Sequence, residues 1–207
     1  MPAAIPQIPT QTADLFGGNI TAQIPQNFVD ASRHRPVPDT QEVFVSGTYD
    51  TDISIVFDIL CRVEGSDEEA LAVHWEDVAV EEGRGQRLFN QEGVQVPGLP
   101  NVKAFQLTGT INKPSETTFT ALLMTVIRLE AQDTDFVVTV NVPFLTPEQV
   151  AAEGMLAAPQ FQGELSGVPG ELLQAGLAIR DKILDTLRVV NWGLFVAGEE
   201  EEEEEEE

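Results

Sequence analysis

Residues 103–142, KAFQLTGTINKPSETTFTALLMTVIRLEAQDTDFVVTVNV, decide the fold. Apolar and polar side chains alternate in Lys103–Ile111 and again in Phe136–Val142, as they do in half-buried strands. Phe119–Leu129 is apolar on both faces, which is typical of a central strand covered on both sides. The two connections are short enough for hairpins. The stretch therefore predicts three consecutive antiparallel strands.

Further strands and helices are predicted on either side of this meander. Glu171–Leu187 carries leucines and isoleucines in one sector, which predicts a helix. Thr146 and Pro147 are typical of a helix start, and that helix would run to Glu153. Glu81–Asn101 is rich in Gly and Pro, which favours a loop or short irregular strands. The remaining segments predict strands at Ile20–Ile24, Gln41–Ser46 and Ile53–Val63, a helical turn or loop at Phe28–Arg35, a helix followed by a short strand at Ala70–Val80, and an apolar closing segment at Val189–Phe195.

The fold class that follows is α+β, an antiparallel sheet flanked by helices in an α/β sandwich. We expect one domain at residues 14–197. A flexible, proline-containing lead-in at residues 1–13 would precede it, and a disordered poly-Glu tail at residues 198–207 would follow it.

Charge excludes several classes of partner. The chain has 207 residues with 11 Lys+Arg and 35 Asp+Glu, so its net charge is −24. Such a chain is repelled by phosphate backbones and by anionic bilayers, so we expect no nucleic-acid and no membrane partner. With 42% hydrophobic residues it can still build a core. The one cysteine, Cys61, excludes an internal disulfide and fits a reducing compartment.

Motifs of catalysis and metal binding are not found in the sequence. It has no G-x-S-x-G elbow, no phosphate-binding P-loop and no complete G-x-G-x-x-G. Its two histidines, His34 and His74, form no metal template with Cys61. We interpret His74 as structural or at the surface and Cys61 as a buried, inert thiol. Asp133-Thr134-Asp135 is interpreted as turn chemistry rather than a calcium site. We expect no enzyme activity, metal or cofactor.

Several blocks of sequence resemble the Ran guanine nucleotide release factor family. The longest is Arg35–Phe44, RPVPDTQEVF, and the similarity covers roughly residues 14–197, with gaps at 81–101 and 146–170. The other blocks are Leu15–Gly18, Phe28–Ser32, Ser54–Leu60, His74–Val78, Ile127–Leu129, Thr134–Pro143 and Val189–Phe195. One departure is Cys61, where the family often has an acid.

The resemblance implies a fold and a function. The fold would be an antiparallel sheet flanked by helices, shared with an extrinsic protein of the oxygen-evolving complex. The family binds the small GTPase Ran, promotes nucleotide release and supports nuclear protein import. A monomer in nucleus and cytoplasm is therefore expected, with a second Ran-binding protein as a further candidate partner.

Six residues are the candidates for partner binding on this resemblance: Asp30, Arg35, Asp39, Gln41, Glu42 and Asp58. We hypothesise that the four acids converge on one face as a preorganised anionic patch. Each acid also has a structural interpretation: a helix cap for Asp30, a turn residue for Asp39, a solvated strand position for Glu42 and protection of a strand edge for Asp58.

Two other classes of function stay open at this point. One is an acidic, chaperone-like binder of basic proteins in which the poly-Glu tail does the binding. The other is a small-molecule-binding domain on the same fold, for which a large apolar pocket with convergent polar groups would be evidence.

Overall fold

The structure is a computed structural model and describes residues 8–47, 52–79, 85–112, 118–152 and 170–195. Within these ranges it contains ten strands and three α-helices. The strands are β1 Thr10–Leu15, β2 Ile20–Pro25, β3 Phe28–Asp30, β4 Gln41–Ser46, β5 Ser54–Cys61, β6 Gly85–Val94, β7 Lys103–Asn112, β8 Phe119–Leu129, β9 Thr134–Phe144 and β10 Arg188–Val189. The helices are α1 Asp67–Ala79, α2 Pro147–Ala152 and α3 Glu171–Thr186.

The main sheet has seven strands in the order β3-β4-β5-β9-β8-β7-β6, and every neighbouring pair in it is antiparallel. The predicted meander is confirmed as β7, β8 and β9, the centre of this sheet. A second, three-stranded sheet has the order β1-β2-β10. The predicted α+β architecture, an antiparallel sheet flanked by helices, is confirmed.

Each face of the main sheet packs against a separate layer. One face meets the small sheet and α3, and the larger core fills the space between them. Ile55 and Val140 of the sheet belong to this core, together with Ile20 of β2 and Ile183 of α3. The opposite face packs against α1 through Leu71 and Trp75, in a second, smaller core. We call these the α3 face and the α1 face of the main sheet.

A close approach positions α3 on the main sheet. Gly176 lies where the helix crosses β8 and β9, and a Cβ at this position would meet the side chains of Val142 and Leu123. Since α3 also packs on β2, it fixes the distance between the two sheets.

Reciprocal side-chain caps begin α1 and α2, whereas Gly170 at the start of α3 makes no side-chain cap bond. At α2 the backbone N–H of Gln149 donates to Thr146 Oγ1 over 3.2 Å, and the N–H of Thr146 donates to Gln149 Oε1 over 3.0 Å. The predicted cap at Thr146 is confirmed. At α1, Ser66 and Glu69 form the same arrangement. This cap starts α1 at Asp67, three residues before the predicted helix begins at Ala70.

Some predictions about individual elements are wrong. β1 pairs with β2 from Thr10 opposite Pro25, so residues 10–13 belong to a sheet and not to a flexible lead-in. Residues within Glu81–Asn101 form the ten-residue strand β6 rather than a loop. An edge strand pairs on one side only and tolerates glycines and a bulge, here between Leu88 and Asn90. The end of Ala70–Val80 is helical up to Ala79, not a short strand.

Residues 1–7 of the predicted lead-in and the predicted poly-Glu tail lie outside the described residues. No helix in the described ranges combines the length and apolarity that crossing a bilayer requires.

Candidate functional site

The segment that carries the sequence signature is the connection from β3 to β4. Asp30 ends β3 and caps a 3-10 turn, Ala31–Arg33, by accepting a hydrogen bond from the N–H of Ser32 over 2.8 Å. The chain then runs through Arg35 and Asp39, which are both exposed. A turn closed by the N–H of Gln41 donating to the carbonyl of Pro38 leads into β4. The prolines thus present Arg35 and Asp39 to solvent on a constrained loop.

Strand alternation divides the remaining candidates between two faces. Gln41 lies directly opposite Asp58, and Glu42 lies opposite Phe57. Phe57 belongs to the core on the α3 face. Neighbouring residues of a strand point to opposite faces. Gln41 and Asp58 therefore point to the α1 face, while Glu42 points to the α3 face.

Asp30 belongs with Glu42. It lies opposite Phe44, which is two residues from Glu42 in β4 and so points to the same face. The hypothesis that all four acids converge on one face is wrong, because Asp58 points to the other face.

The two groups nevertheless meet at an open edge of the sheet. β3 pairs only with the Phe44–Ser46 part of β4. It therefore leaves Gln41 and Glu42 without a strand neighbour on that side. A partner approaching this edge can reach side chains of both faces. We call the surface formed by Asp30, Arg35, Asp39, Gln41 and Glu42 the β4 edge.

Glu42 also fixes a strained turn. Its Oε1 accepts a hydrogen bond from the backbone N–H of Phe16 over 2.8 Å. Phe16 has φ +50°, and Gly17 and Gly18 follow with φ +67° and +84°. A left-handed conformation is unfavourable for a bulky residue. The carboxylate and the edge-to-face contact of Phe16 with Phe136 hold it in place. The structural interpretation of Glu42 as a merely solvated strand residue is therefore incomplete.

Asp58 is almost completely buried, with 7% of its surface exposed, and its Oδ1 has no hydrogen-bond partner. Burial raises the pKa of this carboxyl, while a hydrogen bond with Gln41 and the charge of His74 act in the opposite direction. Asp58 thus stores unfavourable energy at the base of the β4 edge. Such a buried, imperfectly satisfied acid is more typical of functional sites than of structural ones.

Next to Asp58 lies an ionic network that the sequence reasoning missed. Asp135 is fully buried in β9 and accepts three hydrogen bonds. They come from His74 Nε2 over 2.9 Å, from Arg128 Nε over 3.0 Å and from the N–H of Val63 over 3.0 Å. Burial alone would raise the pKa of Asp135. The hydrogen bonds from His74 and Val63 and the charge of Arg128 outweigh it and lower the pKa.

This network ties the start of α1 to the sheet. The guanidinium of Arg128, itself buried, donates to the carbonyls of Val63 and Ser66 and to Asp67 Oδ1. The connection between β5 and α1 is therefore held at both ends. His74 is a buried structural histidine, as predicted. The interpretation of Asp135 as turn chemistry is wrong, because its side chain points into the α1 face.

A signal for the network was present in the sequence. Arg128 interrupts an apolar strand, and the hairpin between β8 and β9 sets it opposite Asp135. Opposite charges at facing positions of a predicted hairpin indicate a cross-strand pair.

Cys61 is exposed, so its interpretation as a buried thiol is wrong. It is the last residue of β5 and lies opposite Thr134, the first residue of β9. It lies on the same end of the sheet as Asp58 and the Phe16 turn.

Two other kinds of site were considered. Among the described residues no cluster of His, Cys, Asp or Glu could hold a metal ion. A cleft of about 590 Å³ lies between α3 and the start of β1, lined by Ile8, Pro9, Thr10, Gln23, Pro25, Ala178, Ile179, Asp181, Lys182 and Asp185. It opens at the surface, and three charged side chains, Asp181, Lys182 and Asp185, contribute to its lining. It is therefore not the largely apolar pocket expected of a small-molecule site and gives that alternative little support.

Comparison with known proteins identifies a family to which this chain is similar. The model of a family described as Ran-interacting Mog1 protein matches residues 13–143. The nuclear import protein MOG1 of Saccharomyces cerevisiae is 35% identical over 153 residues, covering 67% of this chain and 68% of that protein. The human Ran guanine nucleotide release factor is 34% identical over 149 residues, covering 65% of this chain and 77% of that protein.

A solved structure agrees with the fold. The 1.9 Å crystal structure of the Saccharomyces cerevisiae Ran-binding protein Mog1p superposes with a TM-score of 0.71 at 28% identity. The match covers 91% of this chain and 100% of that one.

Proposed function

This chain belongs to the Mog1 family of Ran-interacting proteins, and on that premise we propose that it binds Ran and promotes release of the guanine nucleotide. It would support nuclear protein import in nucleus and cytoplasm, and it would act as a monomeric regulator rather than as a catalyst. The observation that carries the proposal is the match to the family model over residues 13–143, which contains the whole β4 edge.

The chemistry of the β4 edge suits this task. A GTPase holds its nucleotide through backbone N–H groups, a lysine and Mg²⁺. A partner accelerates release when it binds the empty state more tightly than the loaded one. Carboxylates can pair with basic groups that the departing phosphates leave behind, and they repel the phosphates themselves. Asp39 is free for this on its exposed loop, while Asp30 and Glu42 are held rigidly by backbone N–H donors.

Charge adds a kinetic contribution. A chain with net charge −24 attracts a basic surface over distances of about a Debye length, roughly 10 Å at 0.1 M salt. Steering of this kind raises the association rate constant and weakens as salt increases. We therefore expect faster association with Ran at low ionic strength.

The test removes charge without removing structure. Asp30→Asn, Asp39→Asn and Glu42→Gln, combined in one variant, keep an oxygen acceptor at each position and so preserve the bonds to Ser32 and Phe16. We expect the Kd for Ran to rise about tenfold or more in a calorimetric titration, with an unchanged thermal melt.

A matched control separates local from global charge. Glu68, Asp77 and Glu148 are exposed acids on α1 and α2, and their conversion to amides removes the same three charges elsewhere. If both triple variants lose affinity equally, net charge rather than the β4 edge carries binding.

A truncation to residues 1–198 should still bind Ran and promote release of its nucleotide. Loss of all binding in that truncation would instead favour the acidic chaperone-like function of the tail.

A further inference from the structure

Exposed apolar side chains lie beside the β4 edge at the C-terminal end of the described chain. Val190 and Trp192 keep 64% and 42% of their surface exposed. Trp192 begins a 3-10 turn, Trp192–Phe195, and its ring lies 5.9 Å from that of Phe195. Both exposed residues lie outside the 13–143 range of the family model.

Hydrogen bonds make this segment continuous with the Phe16 turn. The N–H groups of Val190 and Asn191 both donate to the carbonyl of Asn19, over 2.8 and 3.1 Å. The side-chain amide of Asn191 donates to Asn19 Oδ1 over 2.8 Å. Asn19 in turn donates to the carbonyl of Phe16 over 2.6 Å. Because Glu42 accepts from the N–H of Phe16, an unbroken chain of contacts joins the β4 edge to Val190 and Trp192.

We propose that the Ran-binding surface of this chain extends from the β4 edge across the Phe16 turn to Val190 and Trp192, with Trp192 as its aromatic anchor. The proposal rests on the proposed function and assigns part of its interface. Backbone strain at Phe16 supports it, since strained, well-supported turns concentrate at binding sites. Tryptophan is also enriched among the residues that dominate binding energy.

Charge selects the occupant. A second copy of this chain would bring another net charge of −24 to a surface rimmed by Glu42 and Asp39, and like charges repel. The same acids attract a partner with a basic surface. The occupant that we assign is therefore Ran, the partner of the proposed function, rather than a second copy of the chain.

The first experiment measures affinity. The variant Val190→Ser with Trp192→Ser is titrated with purified Ran beside the unaltered chain. The control is Leu145→Ser. Leu145 is an apolar residue with 54% of its surface exposed, and it follows β9 at the opposite end of the sheet. We expect a Kd about tenfold higher or more for the double variant and no change for the control.

The second experiment uses Cys61 as a reporter on the unaltered chain. It is the one cysteine of the chain and is exposed at this end of the sheet. We expect Ran to slow its alkylation by N-ethylmaleimide, followed by intact mass on this chain. Protection of Cys61 places Ran at this end of the sheet but not on Trp192 itself. Hydrogen exchange at residues 190–195 of the unaltered chain, which Ran should slow, therefore decides the extension even if the double variant fails to fold.

The outcomes separate the two proposals. If the unaltered chain binds Ran but the double variant binds it equally well, or Ran leaves hydrogen exchange at residues 190–195 unchanged, the extended surface is wrong and the proposed function stands. If the unaltered chain does not bind Ran, the proposed function is wrong and this inference with it. Self-association of the unaltered chain that the double variant abolishes would assign the patch to a second copy and overturn the inference.

Discussion

Replacing Asp135 by Asn should destabilise the fold strongly. The carboxylate compensates the charge of Arg128, a residue with 2% exposure, and accepts bonds from His74 and Val63. An amide of the same shape leaves the buried guanidinium with only the partly exposed carboxylate of Asp67, 3.2 Å away, as a counter-charge. Breaking a buried ion pair on one side costs about 3–5 kcal/mol. For a domain of this size that corresponds to a fall in Tm of about 6–20 °C.

The assay is urea unfolding followed by far-UV circular dichroism. The midpoint should fall while the m-value stays constant, because the surface exposed on unfolding is unchanged. The control is Glu130→Gln, which removes the exposed partner of Lys103, 3.1 Å away. An exposed ion pair contributes little to stability because water and salt screen it, so this variant should melt close to the unaltered chain.

A double-mutant cycle and a pH series complete the test. Arg128→Met combined with Asp135→Asn should cost less than the sum of the single changes, because the two residues contact each other. The pKa of Asp135 is lowered below 3.8 in the fold. Its ionised form therefore stabilises the protein above about pH 3.8, and that stabilisation is lost as pH falls through the folded-state pKa. A cost for Asp135→Asn below about 1 kcal/mol at pH 7, or strictly additive single changes, would refute the reasoning.

Three further predictions concern single residues. Asp58→Asn should raise Tm at pH 7 and leave it unchanged at pH 3. Burial raises the pKa of Asp58, so its charged form destabilises the fold only above that pKa. Calorimetry at both pH values measures the change in Tm, and a lower Tm at pH 7 would contradict the expected direction. The same variant should bind Ran more weakly, measured by titration, whereas unchanged affinity would remove Asp58 from the interface. Gly176→Ala should cost about 1–3 kcal/mol in urea unfolding, because its Cβ meets Val142; a neutral result would mean that α3 shifts freely on the sheet.

Much of the fold could be predicted from local pattern. The meander β7–β8–β9 has two-residue alternation with short hairpins, and α3 has a clear apolar sector, so local sequence specifies these elements. β6 could not be predicted, because its glycines disfavour a strand locally and only pairing with β7 makes it one. The early start at Thr10 also depends on a partner, β2.

The site was predicted less completely, for a reason specific to strands. The sequence brought Gln41, Glu42 and Asp58 together as candidates, but adjacent residues of β4 must point to opposite faces. Sequence order could not show that Asp58 lies opposite Gln41, since the register depends on the pairing of β4 with β5. Burial of Asp135 and exposure of Cys61 likewise depend on where α1 and the other layers end on the sheet.

The central claim is that acids at the β4 edge act on a nucleotide-bound GTPase. It is tested most directly by stopped-flow release of a fluorescent guanine nucleotide from purified Ran, with the unaltered chain and with the variant Asp30→Asn, Asp39→Asn, Glu42→Gln. We expect the unaltered chain to accelerate nucleotide release and the variant to accelerate it about tenfold less at equal concentration. An unchanged release rate with the unaltered chain, or equal acceleration by both proteins, would contradict it.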